Sequence, residues 1–147
     1  VRISAKGEYA IKAMVDLALH EGRDLQPIQD VAARQGIPQR YLEQVLLQLK
    51  RSGFLYARRG SAGGYRLSRP ADSITVGAVL RAVDGPTAGP DASRRNGGPA
   101  GEAAAGLAEL WQEIADAVAS VVDRTTLEDL RRRAEERRSA ARPMYHI

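Results

Sequence analysis

The chain has 147 residues, of which 44% are hydrophobic and 5% aromatic, and its 22 Lys and Arg against 18 Asp and Glu give a net charge of +4. That length fits one domain, or one domain with a dimerisation appendage, around a modest core built from Ala, Leu, Val and Ile. The absence of cysteine excludes disulfides, thiol redox chemistry and cysteine-ligated metal clusters, and with neither a bilayer-spanning apolar run nor a signal-peptide core a cytoplasmic location is expected.

The charge is unevenly placed. Residues 1–85 carry 13 Lys and Arg against 8 Asp and Glu, a net of +5, whereas residues 86–147 carry 9 against 10, a net of −1. Such asymmetry favours a polyanionic partner for the first part of the chain, although an ordinary basic domain also fits it.

A first helix is predicted from the cap Ser4 to about His20, with Tyr9, Ala10, Ala13, Met14, Leu17 and Ala18 on one face, ended by Glu21-Gly22. Two shorter helices follow, separated by Gly36-Ile37-Pro38. Pro27 opens the first, which carries Ile28, Val31 and Ala32 at helical spacing, and Pro38 opens the second. In the second, Leu42, Val45, Leu46 and Leu49 form an apolar stripe, while Gln39, Arg40, Glu43 and Gln44 fall on the opposite side of its first two turns. This is the order of a helix-turn-helix, whose second helix enters the major groove by its N-terminal part. Arg suits guanine, Gln adenine, and Glu accepts from the cytosine amino group. An ordinary solvated helix face would look similar.

Phe54 to Arg58 and Tyr65 to Leu67 read as short strands around a turn containing Gly60, Ser61, Gly63 and Gly64 and flanked by Arg58, Arg59 and Arg66. Arginines on a glycine-rich hairpin reach phosphates or a narrow minor groove. The turn lacks the lysine and following helix of a P-loop. Two helices and a basic wing in this order lift DNA binding above a solubilising hairpin tip. Ile74 to Asp84 then reads as a helix, with Val76, Val79, Leu80 and Val83 facing the winged core and Gly85-Pro86 ending it.

Residues 86–101 are rich in Gly, Pro, Ala, Ser and Asp without apolar periodicity, so a mobile loop is expected. From Glu102 to Asp123, Leu107, Leu110, Trp111, Ile114, Val118, Val121 and Val122 recur at three- and four-residue steps. So long a stripe has to bury itself against its own domain or against a copy of itself. Dimerisation is the preferred expectation, because helix-turn-helix proteins commonly pair to read two half-sites about one DNA turn apart. Thr125 or Thr126 caps a short last helix, with Glu128 and Asp129 in its first turn and Arg131 to Arg133 towards its far half, an arrangement that suits the helix dipole. After Pro143 the chain turns apolar at Met144-Tyr145-His146-Ile147, which suggests docking on the dimer or on a partner.

The segments RISAKGEYAIKAMVDLA, YLEQVLLQLKRSG, RRGSAGGYRL and ITVGAVLRAVDGP resemble the Rrf-two family of bacterial winged-helix repressors over about residues 2–86. The pairing of YLEQ with RGxxGGYxL is specific, and Tyr41 is expected to join Gln39, Arg40, Glu43 and Gln44 at the DNA. The resemblance implies a homodimeric transcription regulator on a partly palindromic operator, with Arg2 and Lys6 near the DNA backbone. Cluster-binding members of that family carry cysteine ligands in the region after the wing. Here Asp91, Ser93, Arg94, Arg95 and Asn96 offer no soft-ligand set, so no cofactor is expected. TTLEDL and the final MYHI look closer to the cysteine-metabolism regulators of the family. The terminal isoleucine is similar to that of the serine acetyltransferase tail that enters cysteine synthase. Tyr145 and Ile147 are therefore expected to bind cysteine synthase.

The sequence thus describes a mainly α protein with a small β-hairpin. A winged helix-turn-helix spans residues 1–85, a loop 86–101, dimerisation and C-terminal helices 102–138 and a tail 139–147. An enzyme is disfavoured: His20 and His146 are the only histidines, and no nucleophile–base spacing is evident. A protein-interaction adaptor built on a winged scaffold is the alternative, and sequence-selective, salt-sensitive DNA binding separates the two.

Overall fold

The computed structural model describes residues 3–85 and 101–141. Six α-helices and one antiparallel hairpin follow in the order α1 (Ala5–Leu19), α2 (Ile28–Gln35), α3 (Gln39–Arg51), β1 (Leu55–Arg58), β2 (Gly64–Leu67), α4 (Val76–Asp84), α5 (Glu102–Arg124) and α6 (Leu127–Ala141). None of the described helices is long and apolar enough to cross a membrane.

Helix α1 is the element on which the others pack. Its Ala10, Ala13, Met14 and Leu17 are fully or almost fully buried, and it touches α2, α3, α4, α6 and β2. The Ser4 hydroxyl accepts from the Gly7 backbone N–H at 2.9 Å and donates to Asp84 at 2.8 Å, so one side chain caps α1 and ties it to the end of α4.

The turn between α2 and α3 depends on Gly36, whose φ of 64° places it in the left-handed region and lets its N–H close on the Ala32 carbonyl. Ile37 then drops into the core and Pro38 caps α3, so Pro27 and Pro38 stand one residue outside their helices. Leu42, Val45, Leu46 and Leu49 of α3 are all fully buried, as their spacing predicts.

In the hairpin, Leu55 pairs with Leu67 and Arg58 with Gly64. Alternation turns Leu55, Ala57, Tyr65 and Leu67 inwards and Tyr56, Arg58 and Arg66 outwards. Gln26 adds a third rung by exchanging two 2.9 Å backbone hydrogen bonds with Tyr65. The Gln26 backbone passes so close to Gly64 (φ 147°) that a Cβ there would collide with it, which is why the wing root is glycine.

The next segment differs in detail from the sequence expectation. A 3-10 turn, Ala71–Ser73, precedes α4, and α4 starts at Val76 rather than Ile74. Thr75 is the cap, its hydroxyl accepting from Ala78, while the Ile74 carbonyl accepts from Leu127 N–H at 2.9 Å and is therefore not available to a helix. The Val76 N–H donates to the Thr125 carbonyl at 2.8 Å. These bonds bring the α5–α6 turn onto the winged core, where Leu127 is fully buried, and α6 runs back along α1. The last helix has 15 residues and is not short. Gly77 is buried where Asp123 of α5 approaches α4, and Arg81 donates to the same carboxylate at 2.8 Å.

Candidate nucleic-acid interface

The outward side of α3 lies opposite its buried stripe. Gln39, Arg40, Glu43 and Gln44 are all exposed there, and Lys50 and Arg51 extend the same surface at the C-terminal end of the helix. Tyr41 is 37% exposed, with its ring edge-on to Tyr9 at 5.3 Å between centroids, so it also anchors α3 to α1.

The wing stands beside this face. Arg58, Arg59, Gly60 and Ser61 are exposed, and a cleft of about 520 Å³ separates the wing from the second half of α3, bordered by Leu47 and Lys50 on one side and Arg58, Arg59 and Ser61 on the other. Gly63 packs against the Arg58 and Arg59 backbone so closely that no side chain fits, which keeps the tip narrow. Arg58 donates to the Ala62 carbonyl at 3.3 Å across the tip. On the outer wing face Arg66 lies over the Tyr56 ring at 4.5 Å.

The basic residues of this face are not neutralised by neighbouring carboxylates, a condition they share with Arg133, Arg137 and Arg138 of α6. Arg34, Arg81, Arg131 and Arg132 are committed to carboxylates, on Asp16, Asp123, Glu128 with Glu135, and Asp129. Among the described residues, Arg40, Lys50, Arg51, Arg58 and Arg59 form no ion pair. Their charge faces solvent uncompensated, as a surface for a polyanion requires.

Lys6 is half-buried in the first turn of α1, and Arg2 lies outside the described residues, as do Tyr145 and Ile147. On α5, Trp111, Ile114, Val118 and Val122 are half-buried, whereas Leu107, Leu110 and Val121 are 48%, 47% and 49% exposed. The stripe is thus only partly covered by the chain's own α4. Sequence reasoning did not single out Lys50, Arg51 or Leu47 for the α3 face. For Leu47 and Arg51 the signal was there, since 40, 44, 47 and 51 fall in one line at helical spacing.

A family model described as an iron-dependent transcriptional regulator, Rrf2, matches residues 3–133. The transcriptional regulator IscR of Erwinia tasmaniensis is 36% identical over 130 residues, covering 88% of this chain and 78% of that protein. IscR of Yersinia pestis is 38% identical over 132 residues, covering 88% and 79%. Among solved structures, CymR (YrzC), the global cysteine regulator of B. subtilis, superposes with a TM-score of 0.76 at 35% identity, covering 89% of this chain and 96% of that one. T. potens IscR gives 0.76 at 30% identity over 99% and 94%. With the helix-turn-helix, the wing and the matched span in agreement, the chain belongs to the Rrf2 family of transcriptional regulators.

Proposed function

We propose that the protein is a homodimeric, sequence-specific DNA-binding repressor that occupies operator DNA with α3 in the major groove and the wing on the adjacent backbone. The observation that carries this reading is the run of unpaired basic residues, Arg40, Lys50, Arg51, Arg58 and Arg59, beside the polar outward face of α3. Gln39, Arg40, Glu43 and Gln44 are assigned to base edges, with Tyr41 holding the helix to α1. Arg58, Arg59 and the backbone of Gly60, Ser61, Gly63 and Gly64 are assigned to phosphates, together with Arg2 and Lys6. The exposed α5 stripe through Leu107, Leu110 and Val121 supports pairing with a second copy, which places two α3 helices on two half-sites.

The family description names iron, and the donor set here does not fit an iron–sulfur cluster. The chain has no cysteine, and among the described residues no group of three or more His, Asp or Glu is arranged to hold a metal. The proposed regulator therefore responds to a small molecule or a protein, not to a thiolate-held cluster. The likeness to CymR supports genes of cysteine and sulfur metabolism as targets. Cysteine synthase is the partner this reading assigns to the segment with Tyr145 and Ile147, tested by calorimetry on the chain with and without Ile147.

The test of the main reading is to sequence the DNA fragments captured by the purified protein from a random pool and to titrate the selected duplex at several salt concentrations. A shared palindromic motif and steep salt dependence are expected. Weak binding without sequence preference would favour the adaptor reading instead.

A further inference from the structure

Seven large hydrophobic residues are exposed among the described residues, and six of them belong to the α5 stripe or have a local neighbour. Leu107, Leu110 and Val121 belong to the α5 stripe, Tyr41 is set against Tyr9, Tyr56 lies under the Arg66 guanidinium, and Ile3 adjoins Gly7 at the start of α1. Leu47 is left. It is 45% exposed on α3, while Leu42, Val45, Leu46 and Leu49 of the same helix are buried.

A single exposed leucine is ordinary on a protein surface. The location of this one is not. At 100° per residue Leu47 falls in line with Arg40 and Gln44, one turn beyond Gln44 and on the side opposite the buried stripe. It also borders the cleft between α3 and the wing, with Lys50 and Arg59 at the margins. The cleft is also lined by the apolar Ile28, Ala57 and Tyr65. On the outward line of α3, however, the neighbours of Leu47 are Arg40, Gln44 and Arg51, with Lys50 and Arg59 at the cleft margin, and this basic setting favours a polyanion as the occupant that reaches it. Within the major groove the apolar group a polyanion offers is the C5-methyl of thymine, the one feature of a base edge that an aliphatic side chain recognises.

We infer that Leu47 is a specificity-determining residue that packs on the methyl group of one thymine in each half-site. The inference rests on the DNA-binding reading and adds an apolar contact to a face otherwise polar. Removing one methyl from a buried contact is worth about 0.8 kcal/mol, which corresponds to about fourfold in affinity.

The experiment uses the full chain and the duplex selected from a random pool. Each thymine in one half-site is replaced in turn by deoxyuridine, which keeps every hydrogen bond and lacks only the methyl. Binding is measured for the native chain and for Leu47→Ala, an exposed position whose truncation leaves the core intact. The expected result is an approximately fourfold loss at one thymine for the native chain and equal binding of the thymine and uracil duplexes by Leu47→Ala. A loss below twofold at every thymine, the same loss retained in Leu47→Ala, or a selected motif without thymine would overturn the assignment to Leu47 while leaving the DNA-binding reading intact. Failure to select any motif would overturn both.

Discussion

Arg34 of α2 donates to both carboxylate oxygens of Asp16 of α1, from Nε at 2.9 Å and from Nη2 at 2.8 Å. Asp16 is 1% exposed and also accepts from Gln35 at 2.9 Å, so a buried charge is fully paired at the joint between the first helix and the helix-turn-helix. The hydrogen bond to Asp16 raises the Arg34 pKa above its ordinary value. Arg34 also donates to Gln26, whose backbone pairs with Tyr65 at the wing root, and the network therefore spans α1, α2 and the wing.

Asp16→Ala is expected to destabilise the fold by about 2 kcal/mol. This is less than the cost of breaking a fully buried pair, because the Arg34 side chain is 35% exposed and regains water. Asp16→Asn keeps the shape but only one of the two acceptor oxygens, setting an amide N–H against an Arg34 or Gln35 donor, and should also destabilise the fold. Urea unfolding monitored by circular dichroism checks both, and equal stability of Asp16→Ala and the native chain would remove the network's structural role.

On the DNA face, Glu43→Ala should relax base preference at one operator position, losing about 1 to 3 kcal/mol of discrimination. Arg59→Ala should weaken all sequences more evenly and make the salt slope shallower by about one unit. Titrations on selected and random duplexes separate the two roles, and an equal loss on both duplexes for both variants would refute the assignment.

If the proposed dimer forms through the exposed α5 stripe, Leu110→Glu is expected to convert it to a monomer without unfolding the chain, since no residue of α5 is fully buried within the chain. Two half-sites then bind independently, and apparent operator affinity should fall by at least roughly tenfold. Sedimentation velocity gives the mass, and a native-sized species in the variant would move the interface elsewhere.

Thr126 and Asp129 cap α6 reciprocally, the hydroxyl accepting from Asp129 N–H at 3.1 Å and the carboxylate accepting from Thr126 N–H at 2.9 Å. Thr126→Ala should cost about 1 kcal/mol. The Thr126 backbone hydrogen bond holds the Asp129 pKa below its ordinary value, and the Arg131 hydrogen bond does the same for Glu128. A carboxylate whose folded pKa is depressed contributes stability that is present above its unfolded value and lost as pH falls through the folded one. The native chain should therefore lose stability below about pH 4, and Asp129→Asn should flatten that loss. Thermal melts between pH 7 and pH 3 read the difference, and identical profiles would exclude this cap as a source.

Because the chain carries no thiolate, the purified protein should be colourless and bind its operator equally with and without oxygen. A visible absorption band with stoichiometric iron would contradict this.

The sequence by itself determined the local elements. Ser4, Gly36, Pro38 and the apolar spacing of α1 and α3 act within one or two helical turns, where capping, left-handed backbone and amphipathic periodicity are decided by neighbours in the chain. The basic, glycine-rich wing was legible for the same reason. Tertiary structure decided what depends on partners far apart in sequence. The start of α4 moved from Ile74 to Val76 because the Ile74 carbonyl is taken by Leu127, and α6 turned back along α1 because Leu127 buries in the shared core. Asp16 reads in the chain as one more acidic residue on a helix, and only the packing of α2 against α1 gives it Arg34. Leu47 is the converse case. The helical spacing that puts Leu42, Val45, Leu46 and Leu49 on the buried stripe already sets Leu47 on the opposite line with Arg40 and Gln44, and the packing of α3 leaves it open there.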